Sequence, residues 1–382
     1  MIIKKVFLIV LDSFGIGNAP DAKEFNDEGA NTFRSISSSG NFSIPNLTRL
    51  GIMNIPGVIS ENSSYSKVDH PTASYGRAYE LSNGKDTVAG HFEIAGIISD
   101  LPFPTYPDGF PEDLMYKICR EWGCGYLCNK PYSGTEVIHD YGREHIETKK
   151  PIVYTSVDSV FQIAAHEEVI PVDELYRLCE TARRILDGEH RVARVIARPF
   201  IGEYPDYQRT TRRHDYAIKP EGKMLLTDLS EKGFDVLSVG KINDIFSGVG
   251  ITKSYGAKTN EDVAKATEEI LKTDFNGLCF VNFVEFDSVY GHRNDIDGYA
   301  GAVTRIDSWL GSFIEKMTDE DAIIVTADHG CDPGFPGTDH TREAVPVLVY
   351  GKALEPAPLG TFVGFDKVGR IAEKLLTKGS IY

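Results

Sequence analysis

Apolar residues in this chain follow two periods. Three short runs are nearly continuous in β-branched, aliphatic and aromatic side chains: KKVFLIVLD (4–12), LCFVNFVEFD (278–287) and DAIIVTAD (321–328). Runs without alternation suit strands covered on both faces of a parallel sheet. Between them the period becomes helical. NEDVAKATEEILK (260–272) starts at an Asn N-cap and sets Val263, Ala266, Ile270 and Leu271 on one face. GYAGAVTRIDSWLGSFIEKM (298–317) repeats Tyr299, Ala302, Ile306, Leu310, Phe313 and Met317 at the same spacing. Strands alternating with helices predict an α/β fold, with a mainly parallel sheet flanked by helices.

The texture changes in the middle of the chain. LPFPTYPDGFPEDL opens a Tyr-, Cys- and Gly-rich region at about residue 101, and KKPIVYTSVDSVFQIAAH reads as strand. A helix at 172–187 (VDELYRLCETARRILD) and the strand RVARVIARPF follow. From about residue 220, KPEGKMLLTDLSEKGFDVLSVG returns to the helix-then-strand pattern of the outer segments. The pattern predicts a discontinuous core, 1–100 and 220–382, interrupted by an inserted α/β domain over 101–219. A length of 382 residues agrees with more than one hydrophobic core.

Composition narrows the function. Hydrophobic residues are 41% and charged residues 25%, as in ordinary globular chains. A formal charge of −16 repels nucleic acid and anionic membrane surfaces, so neither is expected as a partner, and a small anionic substrate requires local cations. No obligate protein partner is expected either. The lysines and apolar run of MIIKKVFLIVLD look like a leader, but Asp12 ends the run and no cleavage site follows, so the segment reads as a buried strand. No window approaches a membrane span of roughly 20 apolar residues. The six cysteines form no CxxC pair and read as reduced thiols, which places the chain in the cytoplasm. Cys124 and Cys128 would be half a zinc site, with no second pair to complete it.

The chemistry gathers on loops. TADHGCDPGFPGTDHTRE (326–343) holds three Asp and two His around a Pro- and Gly-rich centre. A solvated loop, a metal site and an acid/base centre all fit that segment alone. Asp12, Asp287 and Asp328 each close one apolar run, at the edge of an α/β sheet where ligands bind. Three carboxylates brought together there repel unless a cation neutralises them. His292, His329 and His340 accompany them, enough donors for two metal sites. Two divalent ions roughly 4 Å apart clamp displacements at phosphorus, and mixed oxygen and imidazole ligands suit Mn²⁺ or Zn²⁺ better than Ca²⁺.

SFGIGNAPDA, after Asp12, has the pattern GxGxxP and lacks the third glycine of a dinucleotide fingerprint. GKDTVAGHFEIAG (84–96) is the better candidate for a nucleophile. Thr87 opens a predicted helix, whose start favours a phosphoryl group, although Asp86 or Thr87 there is equally an N-cap.

Taken in order, VLDSFGIGNAPDA, GKDTVAGHFEIAG, GKINDIF, EFDSVYGHRND and TADHGCDPGFPGTDHTRE resemble the phosphopentomutase family of the alkaline phosphatase superfamily. YTSVDSVFQIAAHE and RVIARPFIG in the insertion are in character. The resemblance implies an alkaline-phosphatase-like core with a cap domain, and one Mn²⁺ held by Asp12, Asp328 and His329, with Thr87 as the phosphorylated nucleophile. It implies a second Mn²⁺ held by Asp287, His292 and His340. It further implies an isomerase that interconverts ribose 1-phosphate and ribose 5-phosphate, and the deoxyribose pair, through phosphothreonine and a bisphosphate. A sugar bisphosphate, glucose 1,6-bisphosphate or ribose 1,5-bisphosphate, would serve as activator. Related phosphoglycerate mutases use Ser at the nucleophile position, and simple phosphatases lack such a cap; both stand as rivals, as does a noncatalytic metal- or phosphate-binding protein.

In the insertion, Arg191, Arg194, Arg198, Arg209, Arg212 and Arg213 form a positive island in an acidic chain. Arg198, at the end of a predicted strand, and Arg209 are the candidates for a distal phosphate; others pair with surface acids. Asp158 follows a strand and is a candidate for a sugar hydroxyl or a solvated turn. Lys241, also after a strand, is a candidate for the phosphoryl group.

Overall fold

The computed structural model describes residues 3–59, 65–156 and 158–381. Its strands are β1 (Lys5–Leu11), β2 (Ser74–Tyr79), β3 (Leu127–Pro131), β4 (Ile152–Thr155), β5 (Val160–His166), β6 (Arg194–Ile201), β7 (Gln208–Arg209), β8 (His214–Ala217), β9 (Asp235–Val239), β10 (Lys253–Tyr255), β11 (Gly277–Phe283), β12 (Asp321–Thr326), β13 (Val345–Tyr350) and β14 (Pro358–Val363). The chain divides into two compact units, one of residues 1–101 and 220–382, the other of 102–219.

The first unit is built on an eight-stranded sheet in the order β10-β9-β11-β1-β12-β13-β2-β14. From β10 to β12 every pairing is parallel, and β13 runs antiparallel to both its neighbours. The predicted mainly parallel α/β sheet is therefore present. Strands β1, β11 and β12 are buried almost throughout, which is why their sequences do not alternate. They are also adjacent, with β1 in the centre, and their registers place Leu11 beside Phe283 and Val10 beside Thr326. Three chain segments therefore leave the same sheet edge side by side.

Element ends differ from the sequence reading in informative ways. β11 stops at Phe283, so Asp287 does not close the strand; it lies on a π-helical turn, Phe286–Tyr290. The helix Asn260–Leu271 is capped by Thr259, whose hydroxyl accepts from the Asp262 N–H, rather than by Asn260. Asn260 instead accepts the Glu285 N–H at 3.1 Å. Ala264 and Thr267 join the buried face of that helix, and Ala266 is half-buried. The long helix Ile296–Lys316 buries Tyr299, Ala302, Ile306, Leu310 and Phe313 as its period requires.

The second unit has its own sheet, β3-β4-β5-β6-β7, with β8 also paired to β6. One face packs Phe161, Ile163, Val195 and Ala197 with Leu114, Ile118, Leu175 and Leu178 of two helices. The other packs Tyr154, Ala164 and Phe200 with Val137 and Ile138 of the helix Glu136–Thr148. The run 149–166 is not one strand: β4 and β5 pair antiparallel, and Asp158 lies in the connection between them. Arg198 stands mid-strand in β6, not at its end.

Candidate active site

Asp12 directly follows Leu11, and Asp328 lies two residues past the end of the neighbouring β12. Both are buried. Each carboxylate is held by one oxygen. Ser13, in the left-handed region at φ 66°, aims its N–H at Asp328 Oδ1 (3.0 Å), and Asn282 Nδ2 donates to Asp12 Oδ2 (3.0 Å). The other oxygens, Asp12 Oδ1 and Asp328 Oδ2, are buried without a hydrogen bond. His329 Nε2 faces both, at 3.5 and 3.3 Å, and lies 3.1 Å from Thr87 Oγ1. Its Nδ1 donates to the Gly330 carbonyl, which leaves the Nε2 lone pair for the centre.

A second group adjoins the first. Asp287 Oδ1, also buried without a hydrogen bond, is 3.3 Å from His292 Nε2 and 3.2 Å from His340 Nε2. Those two nitrogens are 3.1 Å apart. His292 Nδ1 donates to the Thr338 carbonyl at 2.6 Å, so its Nε2 carries a lone pair inward. The six expected residues are thus together, in overlapping sets. Asp12, Asp328 and His329 converge as one cluster, Asp287 with His329 and His340 as another, and Asp287 with His292 and Cys331 as a third.

The electrostatics describe a centre short of positive charge. Burial, reinforced by the Asp328 and Asp287 charges, pushes the Asp12 carboxyl up to about 7. Burial lowers the basicity of His329, but Asp328, Asp287 and Asp12 outweigh it and raise the imidazole to about 9, so Nε2 offers its lone pair only when a bound cation takes the place of a proton. Burial also raises Asp287, yet the His340 and His292 imidazoles hold it well below the usual carboxylate range. Unsatisfied carboxylate oxygens and inward imidazole lone pairs in one buried space fit divalent transition metals, which satisfy oxygen and nitrogen donors together.

Thr87 begins the helix Thr87–Ile94, capped by Asp86. The Val88 and Ala89 N–H groups donate to Asp86 Oδ1, so the helix start is not the open anion cradle that its sequence suggests. Gly90 lets the helix pack directly on the Asp328 backbone, since a methyl group there overlaps the Asp328 carbonyl oxygen. Lys241 follows β9 and the left-handed Gly240 (φ 78°), and its ammonium partly offsets the upward push on Asp12.

Sequence reasoning misses several supporting residues. His91 is fully buried, with Nδ1 2.8 Å from the Thr87 carbonyl oxygen and 3.1 Å from Asp328 Oδ2. Buried Arg342 donates to Glu80 Oε2 and to the carbonyls of Glu80, Ser82 and Gly84, and also pairs with Asp21. It ties the loop carrying His340 to the loop leading into Thr87. Glu343 accepts from Gly17 N, Thr32 N and Oγ1, and Thr341 Oγ1. The Arg-Glu pair that ends the acidic segment was the available signal.

In the second unit, Arg198 Nε donates to Gln162 Oε1 at 3.2 Å, and Arg209 is exposed on β7. Asp158 lies 3.8 Å from Arg194, which also faces Asp215. Arg212 pairs with Glu167, and Arg213 pairs with Asp215.

The metalloenzyme superfamily profile matches residues 4–378. The chain is 54% identical over 367 residues to a phosphopentomutase of Lachnoclostridium phytofermentans, covering 96% of this chain and 93% of that one. It is 50% identical over 374 residues to a phosphopentomutase of Carboxydothermus hydrogenoformans, covering 97% and 95%. Among solved structures, the PH0037 protein of Pyrococcus horikoshii superposes with a TM-score of 0.51 at 16% identity, covering 98% of this chain and 97% of that one. That likeness extends to the fold. Half-identity along nearly the whole chain goes further: the chain belongs to the phosphopentomutases, a family of mutases within the metalloenzyme superfamily.

Proposed function

We propose that this chain interconverts ribose 1-phosphate and ribose 5-phosphate, and the 2-deoxyribose pair, by carrying a phosphoryl group on Thr87. The observation that supports it most is the position of the Thr87 hydroxyl, 3.1 Å from His329 Nε2 at the edge of a buried centre with unsatisfied Asp12 and Asp328 oxygens. Asp12, Asp328 and His329 would hold one Mn²⁺, and Asp287, His292 and His340 a second. When bound, the two ions would neutralise phosphoryl oxygens and favour the ionised threonine hydroxyl.

Phosphorylated Thr87 gives its phosphoryl group to the free hydroxyl of a pentose monophosphate: the P–O bond to Thr87 breaks as one to the sugar forms. The resulting 1,5-bisphosphate reorients and returns its other phosphate to Thr87. The chain contributes position and charge more than covalent chemistry. Asp86 and Arg342 fix the backbone on either side of Lys85, Lys241 adds a cation near Asp12, and Arg198, Arg209 and Asp158 of the inserted unit are assigned to the distal phosphate and the sugar hydroxyls. A bare hydroxyl cannot start the cycle, so a sugar bisphosphate such as glucose 1,6-bisphosphate or ribose 1,5-bisphosphate is assigned as activator. Six free cysteines support a reducing, cytoplasmic setting.

The test is incubation with ribose 1-phosphate, Mn²⁺ and a trace of glucose 1,6-bisphosphate. Ribose 5-phosphate should form without stoichiometric free phosphate. Release of one phosphate per sugar consumed would make the protein a phosphatase, and no turnover would leave a binding protein.

A further inference from the structure

Asn282 is the one amide in the otherwise apolar strand β11, and it is fully buried. Its Nδ2 has two protons and two partners: Asp12 Oδ2 at 3.0 Å and His91 Nε2 at 3.3 Å. His91, on the helix that begins with Thr87, is equally buried and stacks on Phe280 of the same strand. Its Nδ1 faces the Thr87 carbonyl at 2.8 Å, and a carbonyl only accepts, so Nδ1 carries the ring proton. Nε2 is then an acceptor, matched to the Asn282 amide. Asp328 Oδ2 lies 3.1 Å from the same Nδ1.

We infer that Asn282 and His91 form one positioning couple, which sets the orientation of the Asp12 carboxylate and joins it to the start of the Thr87 helix. The amide holds one oxygen of Asp12, turning Oδ1 toward His329. The imidazole carries the same constraint across to the Thr87 carbonyl. Neither residue is a ligand or a catalytic residue; both act through the groups they hold. Such outer partners typically alter metal affinity 10- to 100-fold. The inference rests on the metal reading proposed above.

The experiment is Mn²⁺ titration of the intact chain by calorimetry, with electron paramagnetic resonance of free Mn²⁺, for the wild type, His91→Asn, Asn282→Leu and the double variant. His91→Asn keeps a donor near the place of Nδ1 and removes the Nε2 acceptor. We expect each single variant to weaken one of two binding events by about 10- to 100-fold and to leave the other in place. The double variant should lose little more than the worse single, because the two residues act as a unit. Losses that multiply in the double variant, or single variants that bind both ions as the wild type does, overturn the couple. If Asn282→Leu does not fold, His91→Asn against His91→Gln decides. Removal of either end should weaken the same event, and a full-affinity result for either variant overturns the inference. A wild-type chain that binds no Mn²⁺ refutes the metal reading itself, a different result from variants that match a metal-binding wild type.

Discussion

At the scale of single residues, the position of Thr87 separates a phosphoryl carrier from a helix cap. Asp86 already supplies the cap, accepting from two backbone N–H groups, so the threonine hydroxyl is left facing His329. Thr87→Ala should therefore leave folding and metal content intact and abolish turnover, while Thr87→Ser keeps a hydroxyl and some activity. Intact-mass measurement and peptide mapping after glucose 1,6-bisphosphate treatment check this, and phosphate on another residue would refute the assignment. His340→Ala probes the second group. It removes an imidazole that holds Asp287 below the usual carboxylate range, so activity should fall by orders of magnitude and bound Mn²⁺ should drop by about one ion per chain. A variant with normal metal content and rate would show that His340 is no ligand. Asp12 and Asp328 were legible because each breaks or follows an apolar run. Asn282 and His91 were not, since one polar residue inside a strand and one histidine on a helix carry no mark of what they face.

At the scale of elements, the site depends on one helix and several loops meeting at close range. The helix Thr87–Ile94 reaches the Asp328 backbone only because residue 90 has no side chain. Gly90→Ala forces helix and loop apart. A destabilisation of about 1–3 kcal/mol is expected, with a loss of activity larger than that stability change alone explains. Chemical denaturation together with the mutase assay reads both, and unchanged activity would refute the close-packing argument. Arg342 plays a corresponding part between loops. The alternation of strand and helix was readable because period depends on burial alone. The Thr259 cap is a local capping box with Asp262, passed over for the neighbouring Asn260, which is instead engaged by Glu285; the π-helical turn under Asp287 was not readable, because backbone geometry at an element's end is not fixed by period.

At the scale of the whole molecule, an acidic chain gathers three buried carboxylates in one unit and places its arginine-rich strands in another. Among the described residues, the metal-ligand candidates all lie in residues 1–101 and 220–382, while residues 102–219 carry two hydrophobic clusters of their own. Arg198→Ala should therefore raise KM for both pentose phosphates and leave Mn²⁺ affinity unchanged; an altered metal titration would contradict that division. Metal binding acts the other way. A ligand that binds only the folded state stabilises it in proportion to the logarithm of its excess, about 2.7 kcal/mol at a hundredfold excess over Kd. That stabilisation belongs to segments that close around the ions. Mn²⁺ should slow amide hydrogen exchange in peptides following β1, β11 and β12, in the 326–343 loop and at the start of the Thr87 helix. Peptides from 102–219 should exchange at the same rate with and without it. Chelation should reverse the protection and lower the melting temperature. Equal protection in both units would mean that the ions stabilise the chain by lowering its net charge of −16 rather than by occupying one built centre. The two causes also part on salt, since screening weakens a diffuse charge effect and leaves a coordinated ion largely in place.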